Sequence, residues 1–174
     1  KNDTSVIMLH PECAKTLQPE DIEFLKTKNV ITDAESIHIL SEKGYDFGID
    51  TLEIPSDDPL LLGERYNPNH PTHPQTAETL RISAFAPGRA VSYAMNPESS
   101  DAEIVAEYYA IKPLEPYFDN YTMPYGASEI VIKTDKGGKW GILGYFPWKN
   151  VIPSYRRDHI LDVADYISEN GLCA

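Results

Sequence analysis

The chain has 174 residues, 41% of them apolar and 24% charged, with a formal net charge of -12. That length buries a core without disulfide staples and fits one domain, or one domain with a substantial insertion. The acidity argues against a nucleic-acid partner, which needs clustered Lys and Arg, and no apolar run is long enough to cross a bilayer as a helix.

Ser5 to Leu9 is a short apolar run that predicts a buried strand of a parallel sheet, ended by His10-Pro11. Pro19 then stands at a favourable first helical position, with Glu20 and Asp21 near the positive end of the helix dipole. Ile22 and Leu25 face inward, with Phe24 beside them. Val30-Ile31 predicts a second strand. Asp33 predicts the cap of a second helix, with Ile37 and Leu40 as its core stripe and Gly44 as its stop. Alternation of strand and helix marks an α/β fold.

The character changes after Ile54. Pro55, Pro59, Pro68, Pro71 and Pro74, with Gly63, Asn67 and Asn69, predict a loop over 55–74. Strand character follows in Thr79 to Phe85, Ala90 to Met95 and Glu103 to Ile111. Leu80, Ile82 and Ala84 alternate with polar residues, the period of a half-buried strand. Residues 106–110 also fit a helix; the strand reading is preferred. Residues 113–124 are expected to be irregular. Asp135-Lys-Gly-Gly138 predicts a hairpin turn between Ile130–Ile132 and Trp140–Leu143, with Trp140 in the core. Ser154 predicts the N-cap of a last helix, with Ile160, Leu161, Val163, Ala164 and Ile167 as its apolar face and Gly171 as its end. The expected divisions are an α/β segment over 1–54, a β-rich insertion or small β domain over 55–127, and a closing hairpin and helix over 128–174.

The two cysteines, Cys13 and Cys173, are too few for a disulfide framework and are expected to be free thiols. With Lys1 in place of an initiator Met, and no signal-peptide pattern, the chain is expected to be a mature form or a piece of a longer protein. Its compartment stays open.

Several groupings carry chemistry on paper. His10 lies near Cys13 at a strand end, but the expected reading is a small buried thiol and a surface imidazole. His70 and His73 with Glu64 offer three ligands for a divalent ion; prolines stiffen the segment and no further Cys or His completes a shell, so a polar loop and no metal are expected. Asp57, Asp58, Glu98 and Glu103 supply carboxylates of the kind glycoside hydrolysis uses, without any defined separation. Arg156 and Arg157 near a helix start suit an anion, though salt bridging to the acidic surface is the simpler account. Aromatic residues crowd the second half. Sugar rings stack on such side chains while carboxylates and amides take the hydroxyls, so Tyr117, Asp119, Asn120, Tyr121, Tyr125 and Trp148 are the expected residues of an oligosaccharide platform. No nucleophile–base constellation is legible, and no cofactor is implied.

Two stretches resemble a known family. Thr16 to Ile22, Asn29 to Ser36 and Ser41 to Tyr45 resemble a degenerate class I glutamine-amidotransferase-like domain, of the kind appended to large bacterial glycoside-hydrolase-like proteins and akin to the trimerisation domain of some beta-galactosidases. Gly138 to Tyr145, Tyr155 to Leu161 and the helix to Ile167 are similar to the end of the same proteins. The resemblance covers roughly 5–50 and 128–172. It implies a Rossmann/flavodoxin-like partial sheet with a β-rich insertion and a closing C-terminal helix. The Gly-x-Cys-x-Gly elbow and later His-x-Glu of active amidotransferases are missing, and Cys13 lacks flanking glycines, so no glutaminase residue carries over. The function this implies is a non-catalytic accessory or assembly domain of a carbohydrate-active protein. Its expected partners are the catalytic domain of the same parent chain and a second copy. A carbohydrate-binding module is the first alternative and an independent hydrolase the last.

Overall fold

The computed structural model describes residues 5–54, 61–73, 81–83, 92–98, 101–112, 121–147 and 154–168. The elements run β1 (Val6–Leu9), α1 (Pro11–Thr16), α2 (Pro19–Leu25), β2 (Asn29–Asp33), α3 (Ala34–Glu42), β3 (Ile49–Ile54) and β4 (Leu61–Tyr66), then β5 (Arg81–Ser83), β6 (Ser92–Pro97), β7 (Glu103–Lys112), β8 (Tyr121–Lys133), β9 (Lys139–Leu143) and α4 (Ser154–Ile167). The fold is mixed α/β with an open, mixed sheet and a C-terminal helix. Among the described residues no helix is long and apolar enough to cross a membrane.

The strands of the described residues form one 9-stranded sheet, with the path β1-β2-β9-β8-β7-β4-β5 and β6 joining β3 to β8. β1, β2 and β9 are parallel; the remaining pairings are antiparallel. Alternation along each strand divides the core between two faces. Val30, Ile130, Trp140 and Ile142 pack with Ile22, Leu25, Ile37 and Leu40, which puts α2 and α3 on the first face, with Ala14 of α1 beside them. Ile31, Val131 and Leu143 point the other way and pack with Ile160, Val163 and Ile167 of α4. Trp140 is fully buried, its indole N–H donates to the Leu25 carbonyl at 3.3 Å, and the Phe47 ring lies 4.9 Å away.

Local chemistry matches these elements. Asp33 caps α3, its Oδ1 accepting from the Ser36 N–H at 2.8 Å. The Lys43 ammonium, just past α3, donates to the carbonyls of Ala14, Lys15 and Leu17 at 2.9, 2.6 and 3.3 Å, satisfying the end of α1. The β8–β9 turn is fastened to the end of α2: the Gly138 N–H and Thr134 hydroxyl both donate to the Lys26 carbonyl.

Four sequence expectations change. The loop expected over 55–74 contains β4, which fits between Pro59 and Pro68 and pairs with β7 from Leu61↔Ile111 to Tyr66↔Ala106. The irregular stretch expected to end at Pro124 gives way to β8 from Tyr121; Pro124 is tolerated because the register shifts there, Tyr108 pairing with Gly126 and Tyr109 with Pro124. Leu161 lies 60% exposed, because it falls away from the stripe set by Ile160, Val163 and Ile167. Cys13 is an exposed free thiol, not a buried one.

β8 is long enough to change neighbours. Glu129 to Lys133 pair with β9, while Met95 of β6 pairs with Ala127. Gly144 sits where β9 stops. Its N–H donates to the Ser128 carbonyl and its carbonyl accepts from the Tyr93 N–H, both at 2.6 Å. A Cβ at Gly144 would stand 2.3 Å from the Tyr93 oxygen and 3.0 Å from that of Ser128, both backbone atoms that cannot swing aside. Gly144→Ala is therefore expected to cost about 1–3 kcal/mol, the range for forced overpacking. Chemical denaturation checks it, and a midpoint equal to the parent's contradicts the junction.

Candidate functional site

Of the residues expected to form a sugar platform, Tyr125 has a described side chain. Tyr117, Asp119, Asn120 and Trp148 lie outside the described residues. Tyr121 opens β8, with its side chain outside the described part. Tyr125 falls at the β8 register shift and packs, partly buried, against Ile54, Ala94 and Tyr108. His10 caps α1, its Nδ1 accepting from the Glu12 N–H at 3.1 Å. Asp57 and Asp58 lie outside the described residues. Arg157 pairs at 3.5 Å with exposed Asp158. No group of three His, Cys, Asp or Glu side chains is arranged to hold a metal ion among the described residues.

In an open α/β sheet, ligands bind beyond the carboxyl ends of the parallel strands, where successive helices go to opposite faces. That place lies here between β2, followed by α3, and β9, followed by α4. Just past the end of β9, the Gly144 carbonyl accepts from the Tyr93 N–H of β6, and Tyr93 is buried with its ring 5.6 Å from that of His38.

The densest polar chemistry lies under α4. His159 and Tyr166 are seven residues apart, hence on one side of the helix. His159 Nε2 meets Glu129 Oε2 of β8 at 2.5 Å, and both side chains are 1% exposed. The Tyr66 ring meets the imidazole edge-on at 4.6 Å, and Glu64 of β4 is equally buried. One helical step on, the Tyr166 hydroxyl donates to Glu103 Oε2 of β7 at 2.5 Å. His70 Nε2 approaches the same oxygen at 3.4 Å, while its Nδ1 lies 2.8 Å from the Thr72 hydroxyl and accepts from the Thr72 N–H. Accepting at Nδ1 assigns the His70 proton to Nε2, facing Glu103.

The electrostatics differ along this line. Burial works most strongly against a charged His159, but the charge and hydrogen bond of Glu129, aided by Glu64 and Asp162, outweigh it and raise its pKa above 6.5. For His70 burial wins over Glu103 and lowers the pKa. The Tyr166 phenol is pushed up to about 12, first by its hydrogen bond to Glu103, then by burial and the Glu103 charge. Such an arrangement holds protons and clamps a helix. Removing one partner of a buried pair like His159–Glu129 leaves an uncompensated group and typically costs about 3–5 kcal/mol.

A second polar feature is a cleft of about 470 Å³ between the end of α3 and β3, lined by His38, Tyr45, Asp46, Asp50, Thr51 and Glu98 among others. Its groups are partly engaged. His38 Nδ1 lies 3.0 Å from the Thr51 hydroxyl, and Asp46 Oδ1 accepts from the Gly48 N–H at 2.7 Å. Glu98 is here, whereas Glu103 belongs to the cluster under α4.

Comparison with protein-family models and with curated proteins finds no match.

Tyr166→Phe removes one charge-assisted hydrogen bond at a partly exposed site and is expected to cost about 1 kcal/mol. A phenol whose folded pKa is raised contributes its full stability below its ordinary value of 10.0 and loses it as the pH climbs toward about 12. Spectrophotometric titration of wild type against Tyr166→Phe is expected to show one late-ionising phenol fewer, and unchanged late absorbance contradicts this geometry.

Proposed function

We propose that this chain is a non-catalytic assembly domain of a larger carbohydrate-active, glycoside-hydrolase-like protein, and that copies join along the open edge of β1. The parallel β1–β2–β9 layer is then a Rossmann/flavodoxin-like partial sheet, and 55–127 its β-rich insertion. The carbohydrate-active parent rests on the resemblance of residues 5–50 and 128–172 described above.

The observation that carries the assembly role is β1 itself. Among the described residues it pairs with β2 alone, and Met8 stands 58% exposed on it. An unpaired strand edge offers a row of N–H and C=O groups to another strand, and natural edges are usually blunted by charge or proline. Val6-Ile7-Met8-Leu9 carries neither. The sequence is also self-complementary. Two-fold antiparallel pairing of β1 with β1 sets Ile7 against Ile7 on one face and Val6 against Met8 on the other, an isologous contact between apolar residues.

The net charge of -12 opposes self-association, so added salt should strengthen it by screening. Sedimentation velocity is expected to show a concentration-dependent dimer whose fraction rises with ionic strength and is lost in Met8→Lys. A monomer at every concentration and salt overturns the reading.

The cleft between α3 and β3 supports a second reading, a carbohydrate-binding module, with Tyr45 as the stacking ring and Asp46, Asp50 and Glu98 taking hydroxyls. Saturable binding to a soluble oligosaccharide, weakened at least about tenfold by a folded Asp50→Asn variant, would put this reading first. No binding across a broad panel removes it.

A further inference from the structure

We propose that the His159–Glu129 pair is a pH-sensitive latch: the positive charge of the His159 imidazolium against the Glu129 carboxyl keeps α4 docked on the sheet, and loss of that charge lets the helix lift.

The geometry isolates the pair. One partner belongs to α4 and the other to β8, they meet at 2.5 Å, and each is 1% exposed. Glu129 Oε1 and His159 Nδ1 have no hydrogen-bond partner among the described residues, so the contact between the two side chains is their main mutual compensation. The groups facing the imidazole are Glu64 and the Tyr66 ring from β4, Asp162 from α4 itself, and His70 from the segment after β4; beyond His70 stand Glu103 of β7 and Tyr166. With the imidazolium present, the buried Glu129 carboxyl faces a cation 2.5 Å away. When the imidazole loses that charge, the buried Glu129 loses the compensation the contact supplied, which disfavours the closed interface.

The direction follows from the sign of the shift. His159 has a folded pKa above the ordinary 6.5, so its contribution is complete below 6.5 and disappears as the pH rises through the folded value. His70, lowered by burial, has its midpoint below 6.5, and Tyr166, raised to about 12, titrates far above it. What remains to hold α4 is the Tyr166–Glu103 hydrogen bond and the packing of Ile160, Val163 and Ile167 on Ile31, Val131 and Leu143. Lifting the helix uncovers that apolar face of the sheet, so the latch governs exposure of a second sticky surface, separate from the β1 edge.

Hydrogen exchange of the whole chain, corrected for intrinsic rates over about pH 5 to 9, tests this. Opening of α4 is expected to rise by up to about tenfold per pH unit above 6.5, then level off, while β2 and β9 stay constant. In His159→Gln the α4 rise should vanish. In wild type the imidazole titration, followed by NMR of the His159 ring, should share the midpoint at which α4 opening levels off, and Glu129→Gln should lower it. A flat α4 profile in wild type, a rise that persists in His159→Gln, or an imidazole midpoint unrelated to the exchange profile overturns the proposal. The wild-type pair of readouts decides the matter even where the glutamine variants fail to fold.

Discussion

Everything in this fold passes through β8 and the place where it changes partners. Its C-terminal half is flanked by β9, which continues into the parallel layer; its N-terminal half runs past β6 and along β7. The handover happens within one residue of Gly144, where two backbone hydrogen bonds of 2.6 Å link Ser128, Gly144 and Tyr93. Only a residue without a Cβ lets three backbone segments come so close. The register shifts around Val105, Ser128 and Tyr125 serve the same end, since each extra residue bends and twists a strand that must belong to two parts of a sheet. Because of that handover, the Tyr93 N–H of β6 reaches the Gly144 carbonyl just past the end of β9.

The two sides of the sheet are held by different physics. The first face is an ordinary apolar core, with Trp140 at its centre and the helices closed by backbone-directed contacts such as Lys43 on the end of α1. The second face carries one helix and mixes apolar packing with buried acids and imidazoles. Gly141 lets α4 come down: a Cβ there would stand 2.8 Å from both Ile31 and Val163. Apolar burial gives α4 its affinity for the sheet, and the His159–Glu129 and Tyr166–Glu103 contacts give it register and a dependence on protonation.

The strands and helices with strong local signals were legible in the sequence. Asp33, Pro19, the 135–138 turn and the Ile37/Leu40 stripe each state their structure through a cap, a fixed φ, a turn or a period. β4 was not legible, because the prolines around it outweigh a six-residue strand whose partner lies some 45 residues away. The polar cluster under α4 left a readable trace that composition hides. Glu129 shares a strand face with Val131, and His159 shares an inward helical side with Val163 and Tyr166. A charged residue on an inward stripe signals a buried pair, but its partner is set by tertiary packing: Glu129 and His159 are 30 positions apart.

The central claim is that β1 is an edge waiting for a strand, and amide exchange along it tests that most directly. The β1 amides not paired with β2 should exchange as solvated groups at low protein concentration and become protected as the concentration rises, with β2 and β9 unchanged. Protection that never varies with concentration, at low or high salt, would contradict the account and leave β1 an edge that joins nothing.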